Sequence, residues 1–349
     1  MDIFGTNQKE QTLKDQIKLL TNFFELTDGG NWKNKLNWGT SSPPTEWYGI
    51  TITNGKISEI SLPSNNLSGH LTDSLFKIST LSKIDLSDNK LTGEIPKVIS
   101  SLIELRTLDL SNNLIYGTIP DLSRCYNLDT LNLKTNKITG DIPASLAKCY
   151  NLRLLHLGEN SLTGNIPENI TSMKHLTVIN LQKNFLTGKI PESIGLLFCL
   201  ETLNLENNKL TGEIPANIAT MTKLKQLILR HNMLSGPIPE RLEVLLNLDV
   251  LYLNNNQLSG SIPRKLGNLH KCHFINLAFN NLSGTIPDSF NHMDILSIKE
   301  FNLSNNKLSG EISVGLIDFV LQARKNNLSH IIDLSKNPQG FHLSTDITT

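Results

Sequence analysis

The residues of this chain best suited to chemistry lie at His270-Lys271-Cys272-His273, where two imidazoles and a thiol fall within one short run. Such groups are the raw material of a zinc site, which needs several ligands converging on a tetrahedron. Convergence is not expected here. The alternation of the following strand turns Cys272 inward, as a stand-in for a buried leucine, and leaves His273 beside the strand. Other signatures of catalysis are missing: the sequence has no P-loop, no His-Glu-x-x-His, no Cys-x-x-Cys pair, no Gly-x-Ser-x-Gly elbow and no kinase signature. A chain without catalytic residues, metal or cofactor is therefore expected.

What positions these residues is a repeat. Leu203-Asn204-Leu205-Glu206-Asn207-Asn208-Lys209-Leu210-Thr211-Gly212-Glu213-Ile214-Pro215 recurs with small changes from near residue 57 almost to the end. Its second-turn asparagine gives the series Asn65, Asn89, Asn113, Asn136, Asn160, Asn184, Asn208, Asn232, Asn256, Asn280, Asn306 and Asn337, most steps being 24 residues. A fixed period of about 20 to 30 residues on one hydrophobic skeleton marks a solenoid of stacked units. Leu203 and Leu205 alternate with Asn204, so the leucines share the inner face of a short strand and Asn204 points out, where solvent exposure is expected. At the corner after the strand, an amide side chain both donates and accepts, which suits it to buried backbone groups. Stacked repeats should bring these amides into a ladder. Leu210, Gly212, Ile214 and Pro215 then supply another inward leucine, backbone freedom and the start of the return segment.

The pattern LxxLxLxxNxLxGxIPxxLxxL resembles the leucine-rich repeat family, and Gly-x-Ile-Pro resembles its plant-specific subclass, also seen in microbial and protist proteins. The resemblance implies an α/β repeat fold: a curved solenoid with a parallel β-sheet on the concave face and 3₁₀ or irregular segments on the convex side. It also implies binding through the concave face.

The ends read as caps. Gln11 to Leu26 forms an amphipathic pattern, with Leu13, Ile17, Leu20, Phe23 and Phe24 on one stripe and Asp28-Gly29-Gly30 as the stop. Three tryptophans, Trp32, Trp38 and Trp47, follow, and Asn54-Gly55 predicts a hairpin into the first repeat. Residues 1–56 are therefore expected to be an N-terminal cap, 57–313 the repeat array, and 314–349 a C-terminal helix, last repeat and tail. In that helix, Leu316, Ile317, Val320 and Leu321 form the expected apolar side; Ser313 replaces the usual proline, and 344–349 read as a loose tail. The TDGGNW…NW…WYGI block is similar to the N-terminal cap of the same subclass but lacks its paired cysteines, which favours a microbial or protist relative. Cys125, Cys149 and Cys272 occupy leucine slots and read as buried thiols, with a Cys125–Cys149 bridge left open; Cys199 reads as the exposed one.

Charge excludes little but narrows the partner. Lys and Arg total 32, as do Asp and Glu, so neither nucleic acid nor an anionic membrane is indicated. No apolar run approaches the length of a membrane span. The first residues are polar and carry no recognisable secretory signal, so an intracellular setting is expected, or an extracellular one if the chain is a processed or truncated form. Five Asn-x-Ser/Thr sequons, at Asn66, Asn169, Asn281, Asn302 and Asn327, arise largely from the repeat wording itself.

Surface is what remains to carry function. Outward strand positions are mostly small and polar, but Ile228 and Tyr252 break the series, and His231, Val250, His273, Phe274 and Phe279 neighbour them across the strands. This patch is the expected contact site for a protein or peptide ligand. A weaker candidate is the mixed-charge area of Arg153, His156, Glu159 and Lys183. The expected function is that of a monomeric, non-catalytic scaffold. The alternative, from the same resemblance, is an extracellular receptor-like ectodomain or an inhibitor of cell-wall-degrading enzymes.

Overall fold

The structure, a computed structural model, describes residues 12–310, 314–328 and 332–337. Gln11, Ser313 and the tail at 344–349 lie outside the described residues. Two compact units, Met1–Leu152 and Arg153–Thr349, divide the chain.

The first unit begins with helix α1 (Leu13–Leu26), entered through a reciprocal capping box in which Thr12 and Asp15 each accept from the other's backbone N–H. A T-shaped and stacked aromatic cluster follows: Phe24 lies 5.0 Å from Trp32 and 5.7 Å from Trp38, and Trp38 lies 4.9 Å from Trp47. Each indole N–H finds a carbonyl, at Thr27, Tyr48 and Ser42 respectively for Trp32, Trp38 and Trp47. Burial without an orphaned donor is what lets tryptophan serve as a lid. Strands β1 (Ile50–Thr53) and β2 (Lys56–Ser61) pair antiparallel around Asn54 and Gly55, both left-handed at φ 51° and 72°, as the Asn-Gly turn requires. Parallel strands β3 (Lys83–Asp85), β4 (Thr107–Asp109) and β5 (Thr130–Asn132) extend the sheet from β2, and the short helix α2 (Asp73–Phe76) lies between β2 and β3.

One polar residue inside the α1 stripe went unread in the sequence. Gln16 is fully buried, accepting from Ile57 N at 2.9 Å and donating to Thr80 Oγ1 at 2.9 Å. It ties the helix to the edge of the first repeat.

The second unit carries β6 (Leu154–His156), β7 (Val178–Asn180), β8 (Thr202–Asn204), β9 (Gln226–Ile228), β10 (Val250–Tyr252), β11 (Phe274–Asn276), β12 (Glu300–Asn302) and β13 (Ile332–Asp333), each parallel to the next. Across the core from them run 3₁₀ turns such as Glu192–Leu196 and Ala216–Thr220, each opening after a Pro that fixes the entry. Helix α3 (Val314–Lys325) covers the last repeats, with Phe319 5.6 Å from Phe301. Its buried residues are Leu316, Ile317, Phe319 and Ala323, whereas Leu321 is 47% exposed, so the expected stripe is rotated. The aromatic contact with Phe301 sets that rotation.

The asparagines hold each corner. Asn208 Nδ2 donates to the carbonyls of Leu181, Leu205 and Glu206 at 3.0–3.2 Å, and its Oδ1 accepts from Leu186 N at 3.1 Å. Asn232, Asn256, Asn280 and Asn306 repeat the pattern one unit on, each amide spanning three carbonyls. Asn89 and Asn113 do the same in the first unit, and Asn65 exchanges bonds with the Asn34 backbone instead. Asn136, Asn160, Asn184 and Asn337 likewise donate to the carbonyls of their own corners.

Asn204 departs from expectation. It is only 7% exposed, donating to Gln182 Oε1 at 2.7 Å and accepting from Glu206 N at 3.1 Å. The longer side chain of Gln182 in the preceding repeat lies over the short amide and keeps it from water.

Candidate functional site

Leu227 and Leu229 are completely buried, so their neighbours Ile228 and Arg230 project from the opposite face of β9. The same alternation puts Tyr252 and Asn254 outward from β10, and Phe274 and Asn276 from β11. Register is strict, with Ile228 opposite Tyr252 and Tyr252 opposite Asn276. Side chains in equivalent slots therefore stand at strand spacing, about 4.8 Å apart.

These residues form a connected network centred on Tyr252. Its hydroxyl donates to Glu300 Oε2 at 2.7 Å, and Asn276 Nδ2 donates to Glu300 Oε1 at 2.5 Å, fixing both carboxylate oxygens. Phe274 meets the tyrosine ring edge-on at 6.5 Å. Arg230 lies over the ring, its guanidinium carbon 5.0 Å from the centroid, and reaches Glu206 Oε1 at 2.9 Å. Burial, and then the hydrogen bond to Glu300, pushes the Tyr252 hydroxyl well above the usual phenol range, so it stays a protonated donor.

The other residues expected in the patch are placed differently. Val250 shares the outer face with Tyr252 and stands opposite Phe274, but at 9% exposure it is covered by its neighbours there. Ile228 is half-buried. His273 is drawn to Asp249, Nδ1 to Oδ1 at 2.5 Å, on the strand's N-terminal side, and lines a hollow of about 540 Å³ with Lys225, Lys271 and His270. Cys272 faces the other way, its Sγ donating to Asp249 O at 3.3 Å. Among the described residues no group of three or more His, Cys, Asp or Glu side chains could hold a metal ion.

His231 and Phe279 lie at the corner before the ladder asparagine, with φ of 56° and 55°. Every described repeat is left-handed at this slot, and Asn207, Asn255 and Asn305 show the residue type that adopts it readily. A phenylalanine there is an outlier, and Phe279 is also 51% exposed. It combines a strained backbone with an exposed ring.

In the mixed-charge area, Lys183 approaches Glu159 at 3.7 Å and Gln182 donates to the same oxygen at 3.2 Å. The thiols of Cys125, Cys149 and Cys272 are free and buried, and Cys199 is half-buried. Burial pushes Cys125 up to about 11 and Cys149 and Cys272 up to about 12.

Sequence reasoning missed Glu206, Arg230, Asn254 and Glu300. A signal was there: Glu206 and Arg230 are opposite charges one repeat apart, two positions past the outward strand residue.

Fold and repeat chemistry place the chain in the leucine-rich repeat family. A profile described as a leucine-rich repeat region matches residues 133–297, and leucine-rich repeat profiles match 56–115 and 297–319. Among curated proteins the sequence finds no match. Solved structures share the repeat solenoid. A TDR receptor is 27% identical over 80% of this chain and 51% of its own, at a TM-score of 0.69. The Arabidopsis receptor kinase HAESA ectodomain, in complex with an IDA peptide hormone ligand, is 26% identical over 95% of this chain and 62% of its own, at 0.65. A plant ice-binding protein is 26% identical over 86% of this chain and 97% of its own, at 0.74. The chain thus spans about half the length of the TDR receptor chain. Among the described residues no helix is long and apolar enough to cross a membrane.

Proposed function

We propose that this chain is a non-catalytic, monomeric scaffold that binds a protein or peptide on the outer face of β9 to β12. One observation carries the reading: Tyr252 and Phe274 stand with Arg230, Glu206 and Glu300 on one face, with the exposed Phe279 ring at a corner next to it, in an array whose outward strand positions are mostly small and polar. Aromatic groups and arginine supply most hot-spot energy in interfaces, and a fixed ring needs little ordering on binding. Strain at the exposed Phe279 adds to this, because strained residues concentrate where function maintains them. The peptide hormone complex of HAESA is consistent with a peptide as the partner class.

Selection of a displayed library of random linear peptides on the purified chain tests the reading. Peptides enriched on the wild type should lose binding to a Tyr252→Ser, Phe274→Thr double variant that retains the wild-type circular dichroism spectrum. Enrichment that ignores both substitutions moves the site elsewhere.

A second reading is favoured by a separate surface. Gln257, Ser259, Ser261, Asn281, Ser283 and Thr285 form an exposed, uncharged grid on and beside the adjacent short strands Gln257–Ser261 and Asn281–Gly284. With the likeness to the plant ice-binding protein, such a regular hydroxyl and amide array supports ice as the ligand. Inhibition of ice recrystallisation, abolished by Ser259→Lys with Ser283→Lys, is the expected result; no inhibition by the wild type removes this reading.

A further inference from the structure

We propose that the Tyr252 network is a guanidinium receptor which Arg230 fills in the free protein, and that the partner docks by inserting an arginine side chain in its place. The proposal rests on the peptide-binding reading above and names the chemistry that the partner must carry.

Two orphaned atoms point to it. Arg230 Nε–H is buried without an acceptor, and Asn254 Oδ1 is buried without a donor. Asn254 is 6% exposed and occupies the slot equivalent to Arg230 one repeat on, joined through His231 N to Asn254 O at 3.0 Å. A donor and an acceptor left unsatisfied in equivalent slots of adjacent repeats mean that the resident cation fits its surroundings incompletely. The cause is geometric. Arg230 grows from the turn just after β9, and its tip is taken up by Glu206 and the Tyr252 ring while Nε–H is left without an acceptor.

An arginine entering from outside arrives tip first. Its planar fork carries five N–H donors, able to stack on Tyr252 while meeting Asn254 Oδ1 and a carboxylate together. The surroundings are already set for it: Glu206 is 15% exposed, and Glu300 is held by Tyr252 Oη and Asn276 Nδ2. Once Arg230 swings into solvent, Glu206 loses its ion-pair partner and the Tyr252 ring, tied to Glu300, loses the cation that covers it. That favours a cationic occupant over a neutral or acidic one. Lysine offers a point charge without the stacking plane, so arginine is the better match.

Removal of Arg230 tests this directly, since the side chain is 35% exposed and its loss should leave the core intact. N-ethylguanidinium at low millimolar concentration should raise the Tm of Arg230→Ala but not of the wild type, and Tyr252→Leu in the Arg230→Ala background should erase the effect. The second measurement is fluorescence anisotropy with a labelled Gly-Ser peptide carrying one arginine, against the same peptide carrying citrulline. Arg230→Ala should bind the arginine peptide about ten-fold more tightly than the wild type does, and Glu206→Gln added to it should weaken that binding. Equal binding of the two peptides, no gain over the wild type, or the same Tm response in all variants overturns the proposal. Library peptides that depend on Tyr252 and Phe274 but lack arginine would overturn the guanidinium site alone and leave the scaffold reading intact; a library that ignores the face removes both.

Discussion

Asn254 and Asn256 are two residues apart and live in opposite worlds. Asn256 turns inward, donates to Leu229 O, Leu253 O and Asn254 O, and accepts from Leu234 N at 3.0 Å. Asn254 turns outward, is 6% exposed, and keeps an unpartnered oxygen. The inner amide is saturated by backbone groups that every repeat supplies. The outer one has neighbours set by whatever side chains two adjacent repeats happen to carry. Interior polar groups here serve stability, whereas unsatisfied polar groups on the outer face are free to serve recognition.

Substitutions should separate the two regions, and the largest effect should come from the ladder. Asn208→Ala strands the Leu186 N–H and takes one of two donors from each of the Leu181, Leu205 and Glu206 carbonyls, so a loss of about 3 kcal/mol in urea unfolding is expected. Asn254→Ala should stay within about 0.5 kcal/mol of wild type, because it removes a buried acceptor that had no donor. Similar losses for both would erase the distinction between interior and face.

Gln16→Leu extends the comparison to a saturated amide outside the ladder. It leaves Ile57 N without its acceptor, and a destabilisation of about 2 kcal/mol is expected. A gain in stability would mean that helix α1 needs only apolar packing.

Alkaline pH sharpens the interior side. In the unfolded chain thiols ionise near 9.0, but in the folded protein Cys125 holds its proton to about 11 and Cys149 and Cys272 to about 12. The unfolded state therefore binds fewer protons between these values, and stability should fall as pH rises from about 9 towards 12. Replacing all three by Ala should flatten that part of the stability curve. Iodoacetamide on the native protein near neutral pH should label Cys199 well before the other three, as intact mass would reveal.

Phe279→Asn should give a small shift of the opposite sign. It places at φ 55° the residue type already present at Asn255 and Asn305, so a gain of up to about 1 kcal/mol is expected. A lower Tm would show that the exposed ring packs for stability.

Much of the repeat was legible in single residues. Alternating leucines, the corner asparagine and Gly-x-Ile-Pro each specify a local conformation, and recurrence multiplies the signal. Asn54-Gly55 placed its hairpin for the same reason, since few residues tolerate two consecutive left-handed positions. Contacts made by long side chains across repeats were not legible. Gln182 covering Asn204, Arg230 leaning on Tyr252, and Glu300 reaching back to Tyr252 two repeats earlier depend on rotamers that no period encodes.

The sequence by itself thus determined the leucine-rich repeat solenoid, its period, the inward and outward faces of each strand, and which asparagines occupy the corners. Those features follow from backbone geometry, which repeats whenever its local pattern does. Only the tertiary structure decided that Asn204 is covered, that Val250 is buried while Phe279 is exposed, and that Glu206, Arg230, Tyr252 and Glu300 form one network. Stacking brings residues 24 or 48 apart to one or two strand spacings, and there side-chain length and charge, which vary freely from repeat to repeat, choose the partners.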